Sequence, residues 1–75
     1  MKKNPVLMAL GKNVRKLREQ KKLTQEVLAE RSGLDPSYIS GIERAVRNPS
    51  VLSLVRLAKG LGSTPSEICR DISES

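Results

Sequence analysis

The sequence predicts an all-α fold of five short helices, and three observations predict it. Apolar residues recur at three-and-four spacing, as in Leu7, Leu10, Val14 and Leu17, which lays an apolar stripe along one helix face. Helix-start residues punctuate the chain at Thr24, Asp35-Pro36, Ser50 and Thr64-Pro65. Gly33 and Gly62 stand where helices have to stop, in positions suited to a left-handed cap.

The chain has 75 residues, the size of one domain spanning 1–75. A chain this short buries little of its surface, and this one holds no Phe, no Trp and one Tyr. Aliphatic side chains must fill the core. Cys69 is the single cysteine, so a second subunit is the remaining source of stability. One cysteine and no secretory apolar segment point to a reducing, cytoplasmic setting. No apolar run approaches the ~18 residues of a membrane span. The net charge is +6, and it is unevenly spread: residues 1–22 carry Lys2, Lys3, Lys12, Arg15, Lys16, Arg18, Lys21 and Lys22 against Glu19 alone. Such a surface attracts polyanions, DNA above all, although basic charge also serves plain solubility.

The first helix is expected from about Val6 to Lys21, after a polar start whose Lys2 and Lys3 are read as solvated. Gly11 weakens it slightly. Lys12, Arg15, Lys16 and Lys22 fall off its apolar stripe, whereas Arg18 lies at the edge of the core.

The second helix is expected from Thr24 to Ser32. The Thr24 hydroxyl caps it, Val27 and Leu28 supply apolar contact, and Ala29 is small. Its N-terminus combines free N–H groups with the positive end of the helix dipole, a ready phosphate site beside Gln25. Gly33 makes the turn. The third helix, about Pro36 to Arg44, starts at the Asp35 cap and buries Ile39 and Ile42. Ser37, Tyr38, Ser40, Gly41 and Arg44 point elsewhere. With a small residue at the crossing and a tight turn between them, residues 24–44 describe a helix-turn-helix. Its second helix can enter a DNA major groove.

Asn48-Pro49 ends this unit, because the residue before proline disfavours helix. Ser50 caps a fourth helix from Val51 to Leu61, with Val51, Leu54, Val55, Ala58 and Leu61 as its expected buried stripe and Ser53, Arg56 and Lys59 outside. Thr64 and Glu67 form a capping box for a last helix, expected from Pro65 to Ile72. Ile68 and Ile72 share one face, with Cys69 beside them as a small buried hydrophobe. No His, no second Cys, no Gly-rich phosphate loop and no paired-carboxylate motif are present, so an enzyme is not expected. No metal and no cofactor are expected either.

The stretch LREQKKLTQEVLAERSGLDPSYISGIER, followed by Arg47-Asn48-Pro49-Ser50, resembles the lambda-repressor/Cro-like (Xre-type) family. The likeness rests on Leu17-Arg18, Leu23-Thr24-Gln25, Leu28-Ala29, Gly33 and Ile39-Ser40 with Ile42-Glu43, and covers about residues 10–68. Within the family, Tyr38 to Arg44 with Arg47-Asn48 is similar to restriction–modification controller proteins, which are small homodimeric regulators. The resemblance implies a five-helix lambda-repressor-like DNA-binding domain acting as a sequence-specific, homodimeric regulator on a double-stranded DNA operator. A controller would regulate its own gene and an adjacent one. It implies a bacterial or phage protein, cytoplasmic and at the nucleoid, with no membrane and no small-molecule ligand.

The resemblance also implies residue roles. Arg18 would pair with Glu43 as a structural ion pair. Gln25 would clamp a phosphate, with Thr24, Arg44 and Asn48, and secondarily Ser50, holding the DNA backbone. The family's base-reading positions carry Pro36, Ser37 and Gly41 here, a departure from the long polar side chains usual there. Readout is therefore expected from Ser37, Tyr38, Ser40 and Arg47, with help from DNA shape. Tyr38 can instead bond a phosphate, stack on sugars or turn into the core. The dimer interface is expected at Leu52, Leu61, Ile68 and Ile72. The alternative function is another Xre-type repressor or an antitoxin-like protein-interaction module, for which the bare Pro36 and Gly41 are the support.

Overall fold

The computed structural model describes residues 3–74. Five helices follow one another: α1 Pro5–Gln20, α2 Gln25–Ser32, α3 Pro36–Glu43, α4 Val51–Leu61 and α5 Pro65–Ile68. Each starts at a side chain that takes up free N–H groups of its first turn. Thr24, Asp35, Ser50 and Thr64 do so as their types predict. Asn4 does the same for α1, accepting from Val6 N at 2.8 Å, so the helix begins at Pro5, one residue before its expected start. The Thr64 hydroxyl accepts from Glu67 N at 3.2 Å, while the Glu67 carboxylate lies 3.9 Å from Arg70.

α2 packs against α3 and α4, α1 against α3 and α5, and α4 against α5. Leu10, Val14, Leu28, Ile39, Ile42, Leu57, Leu61 and Ile68 fill the shared core, with Leu17, Leu23, Leu34, Leu54, Tyr38 and Ile72 around it. Gly33 turns the chain between α2 and α3 at φ 69°, a conformation only glycine enters at little steric cost. Gly11 has a packing role in place of the slight weakening expected of it. A Cβ there would stand 2.6 Å from the Ile42 carbonyl oxygen and 2.7 Å from that of Glu43, so its absence lets α1 lie directly on the end of α3.

Four expectations are corrected. Leu57, not Val51 or Val55, joins Ala58 and Leu61 on the buried face of α4, and Val51 is 77% exposed. The apolar residues of α4 occupy more than half its circumference, so spacing alone does not choose which arc turns inward. α5 stops at Ile68, four residues short. The Asn13 side-chain amide on α1 donates to the carbonyls of Ile68 at 2.8 Å and Arg70 at 3.0 Å, taking an acceptor that a continuing helix would use. Ile72 still packs on the core from the segment beyond, but Cys69 is exposed. Leu61 and Ile68, expected at a subunit interface, are 1% and 0% exposed within the single chain. They are already spent in its own core. No described helix is long and apolar enough to cross a membrane.

Candidate nucleic-acid interface

The ends of three helices meet at Glu43. Its carboxylate accepts from Arg18 Nε at 2.7 Å and from Arg18 Nη2 at 3.0 Å, a two-pronged pair with little solvent contact. Arg18 Nη1 donates to the Leu23 carbonyl at 2.8 Å, tying in the loop before α2. Gln25 Nε2 donates to Glu43 Oε1 at 3.1 Å. The Glu43 carboxylate, first through its hydrogen bonds and then through its charge, holds the Arg18 guanidinium above its ordinary pKa against the opposing effect of burial. One carboxylate thus sets the end of α3, the end of α1 and the first side chain of α2 in a single frame.

That frame orients Gln25. One amide hydrogen is taken by Glu43 and the second remains to donate outward, beside the free N–H groups at the start of α2. The Thr24 oxygen accepts from Val27 N at 3.1 Å, which leaves its hydroxyl proton to donate. A donor side chain, a donor hydroxyl and a helix N-terminus therefore stand together, the arrangement that binds an oxyanion.

α3 is held by Ile39 and Ile42 on the core side, and its N-terminal turn is exposed at Asp35, Pro36 and Ser37. Asp35 accepts both the backbone N–H of Ser37, at 2.8 Å, and the Ser37 hydroxyl. These bonds, the hydroxyl's first, hold the Asp35 carboxyl below the usual carboxylate range. Ser37 thereby presents its lone pairs rather than its proton to a partner. Tyr38 is half-buried against the core, and its hydroxyl donates to Ser53 Oγ at 3.3 Å, so the ring stands between core and surface. Ser40 is half-buried and accepts from Arg44 Nε at 3.3 Å. Arg44, Arg47 and Asn48 are exposed beyond the end of α3. The Lys3 amine donates to the Arg44 carbonyl at the end of α3, while Lys2 lies outside the described residues.

Gly41 departs from its reading as a bare exposed position. It is buried, and the Arg47 stem lies against it. Ser53 was not singled out as a site residue. It receives the Tyr38 hydroxyl and, at 3.1 Å, the Ser50 hydroxyl, linking α3 to the start of α4. Its place three residues after the Ser50 cap was the available signal. The exposed apolar face formed by Val51, Leu52 and Val55 was legible only in the presence of Leu52.

A short helix braced at its buried end and open along its N-terminal turn, preceded by a helix whose N-terminus suits a phosphate, defines a helix-turn-helix domain. The comparisons agree. The helix-turn-helix family model matches residues 14–68. Control protein C.MunI of a Mycoplasma species is 40% identical over 70 residues, covering 92% of this chain and 95% of that protein. The crystal structure of the restriction–modification controller protein C.AhdI from Aeromonas hydrophila superposes with a TM-score of 0.81 at 45% identity, covering 83% of this chain and 94% of that one. C.Esp1396I bound to a 19-base-pair DNA duplex superposes at 0.78 with 41% identity, covering 84% of each chain. This chain belongs to the Xre-type helix-turn-helix family of transcription regulators, and restriction–modification control proteins are among its relatives.

Proposed function

We propose that this protein is a sequence-specific, double-stranded-DNA-binding transcription regulator of the restriction–modification controller type. It acts as a homodimer on its own promoter and on that of an adjacent gene. The observation that carries this reading is the Glu43 frame, which aims Gln25 and the start of α2 while holding α3 with its N-terminal turn in the open. α3 would enter the major groove. Ser37 and Arg47 would read bases, with Tyr38 and Ser40 at the edge of the contact. Thr24, Gln25, Arg44 and Asn48 would hold phosphates.

The dimer would form through Val51, Leu52 and Val55 on the outer face of α4, a run of large apolar side chains that the chain's own core leaves uncovered. Ile72, half-buried, can border it; Leu61 and Ile68 cannot reach it. Two α3 helices would then meet half-sites about 34 Å apart, or a small multiple of that. The protein-interaction alternative loses half of its support, since Gly41 is roofed by Arg47 instead of lying bare.

Selection from a random duplex pool tests the proposal. Recovery of a palindromic or tandem-repeat site, with base preference relaxed by Ser37→Ala or Arg47→Ala, is the expected result. Recovery of no common sequence, with only weak and salt-sensitive binding, would overturn it.

A further inference from the structure

The segment after α3 folds back over the helix it has just left. Ala45 adopts a left-handed backbone at φ 64°. Its N–H donates to the Ile42 carbonyl at 3.1 Å, and Val46 N donates to the Gly41 carbonyl at 2.9 Å. These two bonds close a Schellman cap and return the chain toward the last turn of α3. Arg47 follows at once, and its stem crosses Gly41. A Cβ on Gly41 would stand 2.5 Å from Arg47 Cγ and 3.5 Å from both Arg47 Cβ and Cδ. Carbon atoms that are not bonded rest at about 3.5–4.0 Å, so the stem fits only because that position has no side chain. Among the described residues the Arg47 guanidinium has no hydrogen bond or ion pair, as is also the case for Arg31 on α2 and Arg56 on α4, whereas Arg15, Arg18, Arg44 and Arg70 are all paired.

We propose that Gly41 is a positioning residue for Arg47: its bare Cα is the seat that lays the arginine stem along the recognition helix and leaves the guanidinium free for a guanine edge in the groove. This rests on the DNA-reading function proposed above. The physical effect is preorganisation. A long side chain already laid in place gives up less conformational freedom when it binds, and its planar fork suits the paired acceptors of guanine. Gly41 itself touches no base. It replaces the long polar side chain that other readers carry by making room for one that arrives from the following loop.

A double-mutant cycle on the duplex selected by the wild-type protein tests the proposal, with Gly41→Ala, Arg47→Ala and both together. Gly41→Ala is expected to weaken binding by about tenfold in the wild-type background and by less than about twofold when Arg47 is already Ala. The base pairs whose preference relaxes are expected to be the same in both single variants. Equal losses in the two backgrounds, or relaxation at different base pairs, would overturn the positioning role while leaving the regulator reading intact. Selection of no common sequence by the wild-type protein would overturn both. The seat itself is read in the free wild-type protein, whether or not Gly41→Ala folds. Nuclear Overhauser contacts from the Gly41 α protons to the Arg47 β and γ protons are expected, and their absence would show that no seat exists.

Discussion

Arg18 and Glu43, 25 residues apart in the chain, meet through two hydrogen bonds of 2.7 and 3.0 Å and are 13% and 5% exposed. The pair joins α1 to α3, and through Gln25 it reaches the first turn of α2. It is a structural joint placed at the back of the helix that would face DNA.

Breaking that joint from one side leaves an uncompensated charge out of water. Glu43→Ala is expected to cost ~3–5 kcal/mol, a large part of the stability of a domain this small. Glu43→Gln, which keeps an acceptor but not the charge, is expected to lower the melting temperature by less. A thermal scan in which Glu43→Gln melts with the wild type would rule out a stabilising pair.

The ends of α1 and α3 offer a matched experiment. Lys22 and Ala45 both adopt left-handed backbones, φ 57° and 64°, in Schellman caps. At exposed Lys22, replacement by glycine relieves steric strain and removes no buried contact, so Lys22→Gly is expected to stabilise by ~0.5–1 kcal/mol. Ala45 is buried, and Ala45→Gly also gives up a methyl group worth ~0.8 kcal/mol, so it is expected to be nearly neutral. Chemical denaturation of the two variants checks the difference, and a loss of stability in Lys22→Gly would contradict it.

Asp35 makes α3 sensitive to acid. Its carboxyl pKa is lowered in the fold from 3.8, so its contribution is fully present above that value and is lost as pH falls through the lower, folded one. Asp35→Asn keeps a capping oxygen without the titration. Urea melts across this acid range should show wild type and Asp35→Asn diverging in their pH dependence below about 4 and running parallel above about 6. Parallel curves throughout would mean that the cap does not depend on ionisation.

Two leucines of α4 separate assembly from folding. Leu52 is 58% exposed and Leu61 is buried. Leu52→Glu is expected to leave the single chain folded, convert it to a monomer at roughly tens of micromolar, and weaken operator binding by losing the second half-site. Leu61→Glu puts a charge into the core and is expected to unfold it. Sedimentation with circular dichroism distinguishes the two, and a Leu52→Glu protein that still sediments as a dimer would move the interface elsewhere.

Local chemistry was enough for the sequence by itself to determine the four caps at Thr24, Asp35, Ser50 and Thr64, the Gly33 turn, the inward faces of α1 and α3, and the helix-turn-helix. Each depends on residues within one or two turns of one another, where type and spacing carry the information. The Arg18–Glu43 pair was legible only through family resemblance, because nothing in the spacing joins residues so far apart. Only the tertiary structure decided which arc of α4 faces inward, since its apolar residues run round more than half the helix and α2 and α5 choose between them. It alone decided that Leu61 and Ile68 serve the chain's own core, that Asn13 on α1 takes the Ile68 carbonyl at the end of α5 and the Arg70 carbonyl just beyond it, and that Gly11 and Gly41 are places of close approach. The physical reason is common to all of them. A glycine, an amide or an apolar side chain has no role until a distant segment arrives beside it, and that arrival is a property of the packed whole.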